Sequence, residues 1–555
     1  MPVDMTRKDG RRTAMRVVLL ALPLAAALFQ HALFPSVGRT VFIAVAGYAL
    51  VALCPATHLS RLHVWDATRR SRGAIALFLA IEMALAAGLT QITLPAHNFA
   101  GPYDYRESFL KDQNQYDHLA DAFLHGSVSL DLEVPDWLRT MDNPYDAQRR
   151  LELGMQTGEK SLFDYAFFEG RYYSYFGPLP ALALFVPFKL LTGADLRTDV
   201  AVAACGVLLC GAIAWFLAQL VRRRFPDTTL QTYFVLNLGI LFGCGASTNL
   251  FLPLFYSLPS LMGLACVFAG LGCWLGAQED EGLRKGALAM GSLLVSCTLL
   301  CRPQLFLAVL LAFPIFFQDI RARRFFSWRG VGNTLCMIAP AVAVGAAAMA
   351  YNQARFGSPL EFGASFNLTG FDMTATRGFR ADLALKSLYV YLLCPIDVTR
   401  SFPFIARLDL TPLMGSFPVE PYYGGIVWFA PVVLSPLALA LRGMRRNLAS
   451  KGLLGIVVVA VLVALPLMVI SSQVASISMR YVADFAWALL MASTIVWLQA
   501  LDAPRHAIAS WLLYALTMLT VAIACVHFFS LGRYEELVFS NPAFYQLFQG
   551  WFPSI

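Results

Sequence analysis

The feature that most constrains this chain is the recurrence of apolar runs of about 20 residues, with charge confined to the gaps between them. In lipid every backbone N–H and C=O must be satisfied within the protein, so runs of that length form helices. The short alternating segments of a membrane barrel are absent. With 58% hydrophobic and 14% charged residues and a mean hydropathy of +0.61, the chain lies outside the range of soluble domains. The expected class is an all-α integral membrane protein with about thirteen transmembrane helices. The runs fall at 14–34, 38–55, 74–94, 200–221, 231–250, 256–277, 287–301, 303–317, 331–352, 425–441, 453–470, 481–500 and 507–530.

Charge predicts the orientation. Arg7, Lys8, Arg11, Arg12 and Arg16 precede the first run, which is long enough to anchor and lacks a small-residue cleavage signal, so it is read as retained. With that end inside, alternate loops carry Arg61, Arg69, Arg70 and Arg72, then Arg222–Arg224, Arg284 with Lys285, Arg321–Arg329, and Arg442–Lys451. The short loops facing outward carry almost no basic residues, which is the positive-inside pattern. It explains the net charge of +7 without a nucleic-acid partner. The expected location is a bacterial cytoplasmic membrane, crossed many times, with the N-terminus cytoplasmic and the C-terminus outside. The stretch 178–192 is apolar but short, and holds Pro180, Pro187 and Lys189; were it to span, every later basic loop would face outward. It therefore reads as an interfacial helix.

The resulting division is 1–94, three spans; 95–199, a large extracytoplasmic loop; 200–352, central spans; 353–424, a second outer loop; 425–530, C-terminal spans; and 531–555, an outer tail. Most of the eleven cysteines sit within apolar runs and suggest packing, not a disulfide framework. No metal-ligand spacing or glycine-rich phosphate loop is present, so neither metal nor nucleotide cofactor is expected.

The first outer segment holds 16 Asp and Glu against 9 Lys and Arg. Within it Tyr116, Leu119, Ala120, Phe123 and Leu124 recur at helical spacing and predict an amphipathic helix with Asp112 and Asp117 near its start. A carboxylate so held, beside a lipid-borne substrate, is where a general base for a water-borne acceptor is needed. Glu82 lies in mid-span, where an ionisable group is costly; a structural hydrogen bond or a partner helix is the favoured account.

The pattern of Asp112, Tyr116, Ala120, Leu124 and Gly126 resembles the opening of the first outer loop in the GT-C superfamily. Those are membrane glycosyltransferases that use polyprenyl-phosphate sugars, such as protein O-mannosyltransferases and aminoarabinose transferases. GPLPALALFVPFKLLTG (177–193) is similar to their second juxtamembrane helix, Arg480 and Tyr481 to a late Arg-Tyr pair, and Arg302 to a basic residue between two helices. Gln113 stands where the nearest families have Glu, and two extra spans precede the loop. DNPYD (142–146), GRYYSYFGPLP (170–180), RFGSPLEFG (355–363) and MRYVADF (479–485) resemble a family of bacterial membrane proteins of unassigned function.

The resemblance implies glycosyl transfer from a polyprenyl-phosphate donor to a cell-envelope glycan, lipid or protein at the outer face. Asp112, or its rival Asp117, would be the catalytic base. A phosphate at the interface calls for bidentate guanidinium donors, and the candidates are Arg480 with Tyr481 and Arg302, with Arg171 and Arg355 behind them. The aromatics of Phe167–Phe176 suit either sugar stacking or an interfacial belt. A lipid-linked oligosaccharide flippase or transporter predicts paired repeats, which inspection does not find. A non-catalytic envelope-assembly protein would lack a lipid groove lined by carboxylate and arginine.

Overall fold

The computed structural model describes residues 18–19, 21–32, 36–65, 69–92, 114–279, 282–376, 378–474, 476–503, 506–530 and 537–552. Asp112 lies outside the described residues.

Helices dominate. α1 (Ala21–Ala32), α2 (Val37–Leu53) and α3 (Arg69–Ile92) precede the first outer segment. That segment contains α4 (Gln115–Leu124), α5 (Ala147–Thr157), the strands β1 (Ala166–Phe168) and β2 (Arg171–Tyr173), and α6 (Ala181–Thr192). There follow α7 (Thr198–Arg224), α8 (Leu230–Gly243), α9 (Ser257–Ala277), α10 (Lys285–Leu300), α11 (Pro303–Ile315) and α12 (Val331–Phe356). The second outer segment carries α13 (Ala381–Leu392). The chain then forms α14 (Pro431–Ala440), α15 (Leu454–Val474), α16 (Val482–Leu501), α17 (Ala507–Ser530) and α18 (Pro542–Gln549).

Among the described residues eight helices are long and apolar enough to cross a membrane: α2 with the turn that continues it to Arg61, α3, α7, α9, α12, α15, α16 and α17. The other five expected spans coincide with apolar helical segments of 10–17 residues, namely α1, α8, α10, α11 and α14. α6 extends only about 18 Å at 1.5 Å per residue, well short of a hydrocarbon core of about 30 Å. It packs on α4 and leaves Leu182, Leu190 and Leu191 exposed, an apolar face suited to lying in an interface.

Burial sorts the spans. α9 and α16 are enclosed by their neighbours, whereas α2, α3 and α12 turn most of their side chains outward, to where lipid would lie. Without a hydrophobic force between helices in lipid, close approach depends on small residues. α9 and α10 cross at Gly270 and Gly291, where an added Cβ on either would come 2.9–3.0 Å from the other's carbonyl oxygen.

The basic ends converge. Lys451 donates to the Arg224 carbonyl and pairs with Asp502 at 3.0 Å, Arg223 donates to the Gly276 carbonyl, and Gln278 donates to that of Ile315. At the opposite end the two segments expected to face outward dock on each other. Asp164 N donates to Leu368 O at 2.9 Å, Leu368 N to Tyr165 O at 2.9 Å, and Asn143 Nδ2 to Asp372 at 2.8 Å. Arg150 is buried with no carboxylate in direct contact among the described residues, and donates to the carbonyls of Pro144 and Thr369 at 2.7 and 2.5 Å. β1 and β2 pair antiparallel through the two-residue turn Glu169–Gly170, where both residues have positive φ as a type I′ hairpin requires.

Glu82 is buried in α3, and neither carboxyl oxygen has a hydrogen-bond partner among the described residues.

Candidate active site

At the end opposite the basic loops, the tips of α9, α10, α11, α12, α15 and α16 surround a cavity of about 730 Å³ roofed by both outer segments. Local sequence positions its charged groups. Arg302 is the extended residue between α10 and α11, held so because Pro303 opens the next helix and disfavours helical geometry before it. Arg355 sits in the last turn of α12, which Gly357 ends in the left-handed conformation at φ 66°. Arg480 lies in a short turn before α16, where the Ser478 hydroxyl accepts from its backbone N–H at 3.3 Å. Gly177 brings the first outer segment against α10, since a Cβ there would overlap the Leu300 carbonyl.

Two of these guanidinium groups are neutralised. Arg302 donates from Nη2 to Asp484 Oδ2 at 2.7 Å and from Nη1 to Ser260 at 3.2 Å; Gln304 and Ser471 donate to the same carboxylate oxygen at 3.1 and 3.2 Å. Arg480 grips Glu420 through Nη2 at 2.7 and 2.9 Å, and Ser478 donates to Glu420 at 2.7 Å. Tyr481 lies between the two arginines, its ring centroid 5.1 Å from the Arg302 guanidinium carbon and 5.9 Å from that of Arg480.

Arg355 differs. It is 3% exposed, yet its hydrogen-bond acceptors are neutral: Ser174 O at 2.8 Å and Asn352 Oδ1 at 2.7 Å, and its Nε has no partner among the described residues. It rests over the rings of Tyr351 and Phe356, at 4.1 and 4.5 Å from their centroids. A buried cation without a directly bonded carboxylate is costly and has unspent capacity for an anion.

Among the described residues two carboxylates line the cavity, Glu420 and Asp164. Asp164 is buried and has φ 59°, a left-handed conformation that Asp adopts more readily than most residues. Its Oδ2 accepts from the Tyr256 hydroxyl and its Oδ1 from Asn367 Nδ2 at 3.1 Å. The Tyr256 ring in turn lies 4.4 Å beneath the Arg480 guanidinium.

The structure thus brings Arg302, Arg355, Arg480 and Tyr481 into one cavity. It does not bring Asp117 or Arg171 there. Asp117 is buried in the first turn of α4, 3.5 Å from Lys189, which also pairs with Asp121 and Asp195 at 2.5 and 2.9 Å. Burial holds its carboxyl above the usual aspartate range, with Lys189 opposing the rise. Arg171 is exposed on β2. Of the aromatic run, Tyr175 and Phe176 reach the cavity, whereas Tyr172 and Tyr173 pack within the loops. The roles of Asp164, Glu420 and Asp484 were not read from the sequence. A charged residue opening an apolar span was a signal for Asp484.

A second, apolar depression of about 530 Å³ lies between α13 and α15 and shares Ile470 with the main cavity. Among the described residues no group of three or more His, Cys, Asp or Glu side chains has the arrangement of a metal site.

No protein-family model matches the chain, and no curated protein matches it. Among solved structures it is similar to ArnT from Cupriavidus metallidurans bound to undecaprenyl phosphate, at 15% sequence identity and a TM-score of 0.40, covering 86% of this chain and 69% of that one.

Proposed function

We propose that this protein is a membrane glycosyltransferase that moves a sugar from a polyprenyl-phosphate donor to an acceptor at the outer face of a bacterial cytoplasmic membrane. The observation that carries the reading is the meeting of Arg302, Arg355 and Arg480 in one cavity at the span ends opposite the basic loops. A phosphate entering partly apolar surroundings needs guanidinium donors. Arg355 offers one whose direct acceptors are neutral, so a phosphate would supply the counter-charge. The volume suits a sugar phosphate, and the apolar depression beyond Ile470 offers an isoprenoid chain a path toward lipid. Acceptors of this class are envelope glycans, lipids or proteins.

In such a reaction the protein's contribution is positional and electrostatic. Arg355, assisted by Arg302 and Arg480, stabilises the charge that collects on the departing phosphate. Tyr175 and Phe176 line the cavity beside the arginines, where a sugar ring can pack, and a lining carboxylate receives the acceptor proton.

The test is retention of donor lipid. Full-length protein purified from native membranes is expected to carry polyprenyl phosphate detectable by mass spectrometry, and Arg355→Ala to carry at least tenfold less. Equal and low retention by both proteins would overturn the reading.

A further inference from the structure

We propose that the loop joining α11 to α12 binds the headgroups of acidic phospholipids in the leaflet at the basic end of the spans. This goes beyond the donor reading and needs only that the chain crosses a membrane. Residues 317–330 read FQDIRARRFFSWRG. Arg321, Arg323 and Arg329 are exposed, and so are Phe317, Phe326 and Trp328, the last at 95%. Rings left facing water forgo the favourable burial of their apolar surface. Rings and guanidinium groups side by side fit a headgroup layer, where the rings reach the acyl boundary and the cations meet phosphate.

The loop is built to hold these groups outward. Phe325 is buried and meets Phe316 at 5.5 Å between ring centroids, while the adjacent Phe326 turns out of the protein. Phe326 and Arg323 have φ 50° and 54°, left-handed values that are costly for side chains of this size. Hydrogen bonds fix them there: Phe326 N donates to Thr334 Oγ1 at 2.9 Å, Asn333 Nδ2 to Arg324 O at 2.9 Å, and Gly330 N to Ser327 O at 3.0 Å. Arg324 pairs within the loop with Asp319 at 3.0 Å, and a Cβ on Gly330 would overlap the Arg324 carbonyl.

A neighbouring element adds charge. Lys285, exposed at the start of α10, lies against the first turn of α12, its Nζ 3.0 Å from where a Cβ on Gly332 would stand. Exposed ion pairs are worth about 0–1 kcal/mol, so a surface carboxylate nearby would not withhold these cations from a lipid phosphate. The location gives the contact a purpose. α12 runs from this loop to Arg355, with most of its side chains turned outward. Interfacial Trp and Arg anchors help to set the depth and tilt of such a span. Acidic headgroups on the loop thereby fix the height of the helix that carries Arg355 into the cavity.

The test places the full-length protein in nanodiscs of phosphatidylcholine, alone or mixed with anionic phosphatidylglycerol. Amide exchange over 321–334 is expected to be slower in the acidic discs. Brominated acyl chains on phosphatidylglycerol are expected to quench Trp328 more than the same chains on phosphatidylcholine, read as the difference between wild type and Trp328→Phe. Combining Arg321→Ala, Arg323→Ala and Arg329→Ala is expected to lower the preference for phosphatidylglycerol by about tenfold or more, at about fivefold per charge. The corresponding triple Lys variant should keep most of it, since the attraction is to charge. Equal exchange and quenching in the two kinds of disc, or a preference unchanged in the triple Ala variant, overturns the proposal. Displacement by inorganic phosphate or by polyglutamate at matched charge also overturns it, making the patch a site for a free anion or an acidic protein. The wild-type measurements decide on their own should the variants not fold.

Discussion

Arg480 and Glu420 are joined through two guanidinium nitrogens, Nη2 at 2.7 and 2.9 Å and Nε at 3.3 Å, with both side chains largely out of solvent. Such a pair is weak evidence for net stability, because desolvation offsets most of the attraction, but breaking one side strands a buried charge. Glu420→Ala is therefore expected to cost about 3–5 kcal/mol. The double change Glu420→Leu with Arg480→Met should cost clearly less than the sum of the single ones. Denaturant unfolding in detergent, run as a double-mutant cycle, reads both.

Arg355 predicts a different pattern. Arg355→Lys keeps the charge but replaces a planar fork with a compact ammonium, which cannot bridge two phosphate oxygens in the same way. Bound polyprenyl phosphate should fall severalfold in Arg355→Lys and further in Arg355→Ala. Arg355→Ala also leaves the buried Ser174 carbonyl without this donor, at a cost of about 1–3 kcal/mol. Lipid retention and unfolding should thus separate for the Lys variant, which affects the first more than the second.

The roof over the cavity depends on Arg150, whose guanidinium ties α5 to the Thr369 carbonyl of the second outer segment. Arg150→Ala removes that tie and leaves the neighbouring backbone pairs, Asp164 N to Leu368 O and Leu368 N to Tyr165 O, less protected. Hydrogen exchange followed by mass spectrometry is expected to speed up at Asp164 and Leu368. Exchange within α9 and α16 should remain as in the wild-type protein.

What sequence could reveal follows from the range of each interaction. Apolar run length reports spans directly, and the 3.6-residue period around Tyr116 reports α4, because both are local. Arg302 and Arg480 were singled out through the family resemblance alone, Arg302 as a basic residue between two helices and Arg480 with Tyr481 as a late Arg-Tyr pair. Asp164 and Asn367 were not, since they meet across 203 positions, and nothing local marks either as a partner. The same holds for Arg302 and Asp484, 182 positions apart. For Asp117 the helical period around Tyr116 places it in α4, but that period carries no information about Lys189, which reaches it from α6.

That Lys189 cluster gives a prediction with a definite pH sign. In the wild-type protein burial raises the Asp117 carboxyl while Lys189 opposes the rise. Lys189→Met leaves burial together with Asp195 and Asp121, all of which favour the protonated form, so the folded-state value climbs further above the unfolded one. An acid raised in this way contributes its stability while protonated, fully below the unfolded value, and loses it as pH climbs through the folded value. The deficit of Lys189→Met relative to wild type should therefore be small near about pH 4 and grow toward about pH 8. Adding Asp117→Asn to Lys189→Met removes the titrating group and should flatten that growth. Thermal melting in detergent across the pH range checks this, and a deficit independent of pH would mean that Lys189 acts by packing alone.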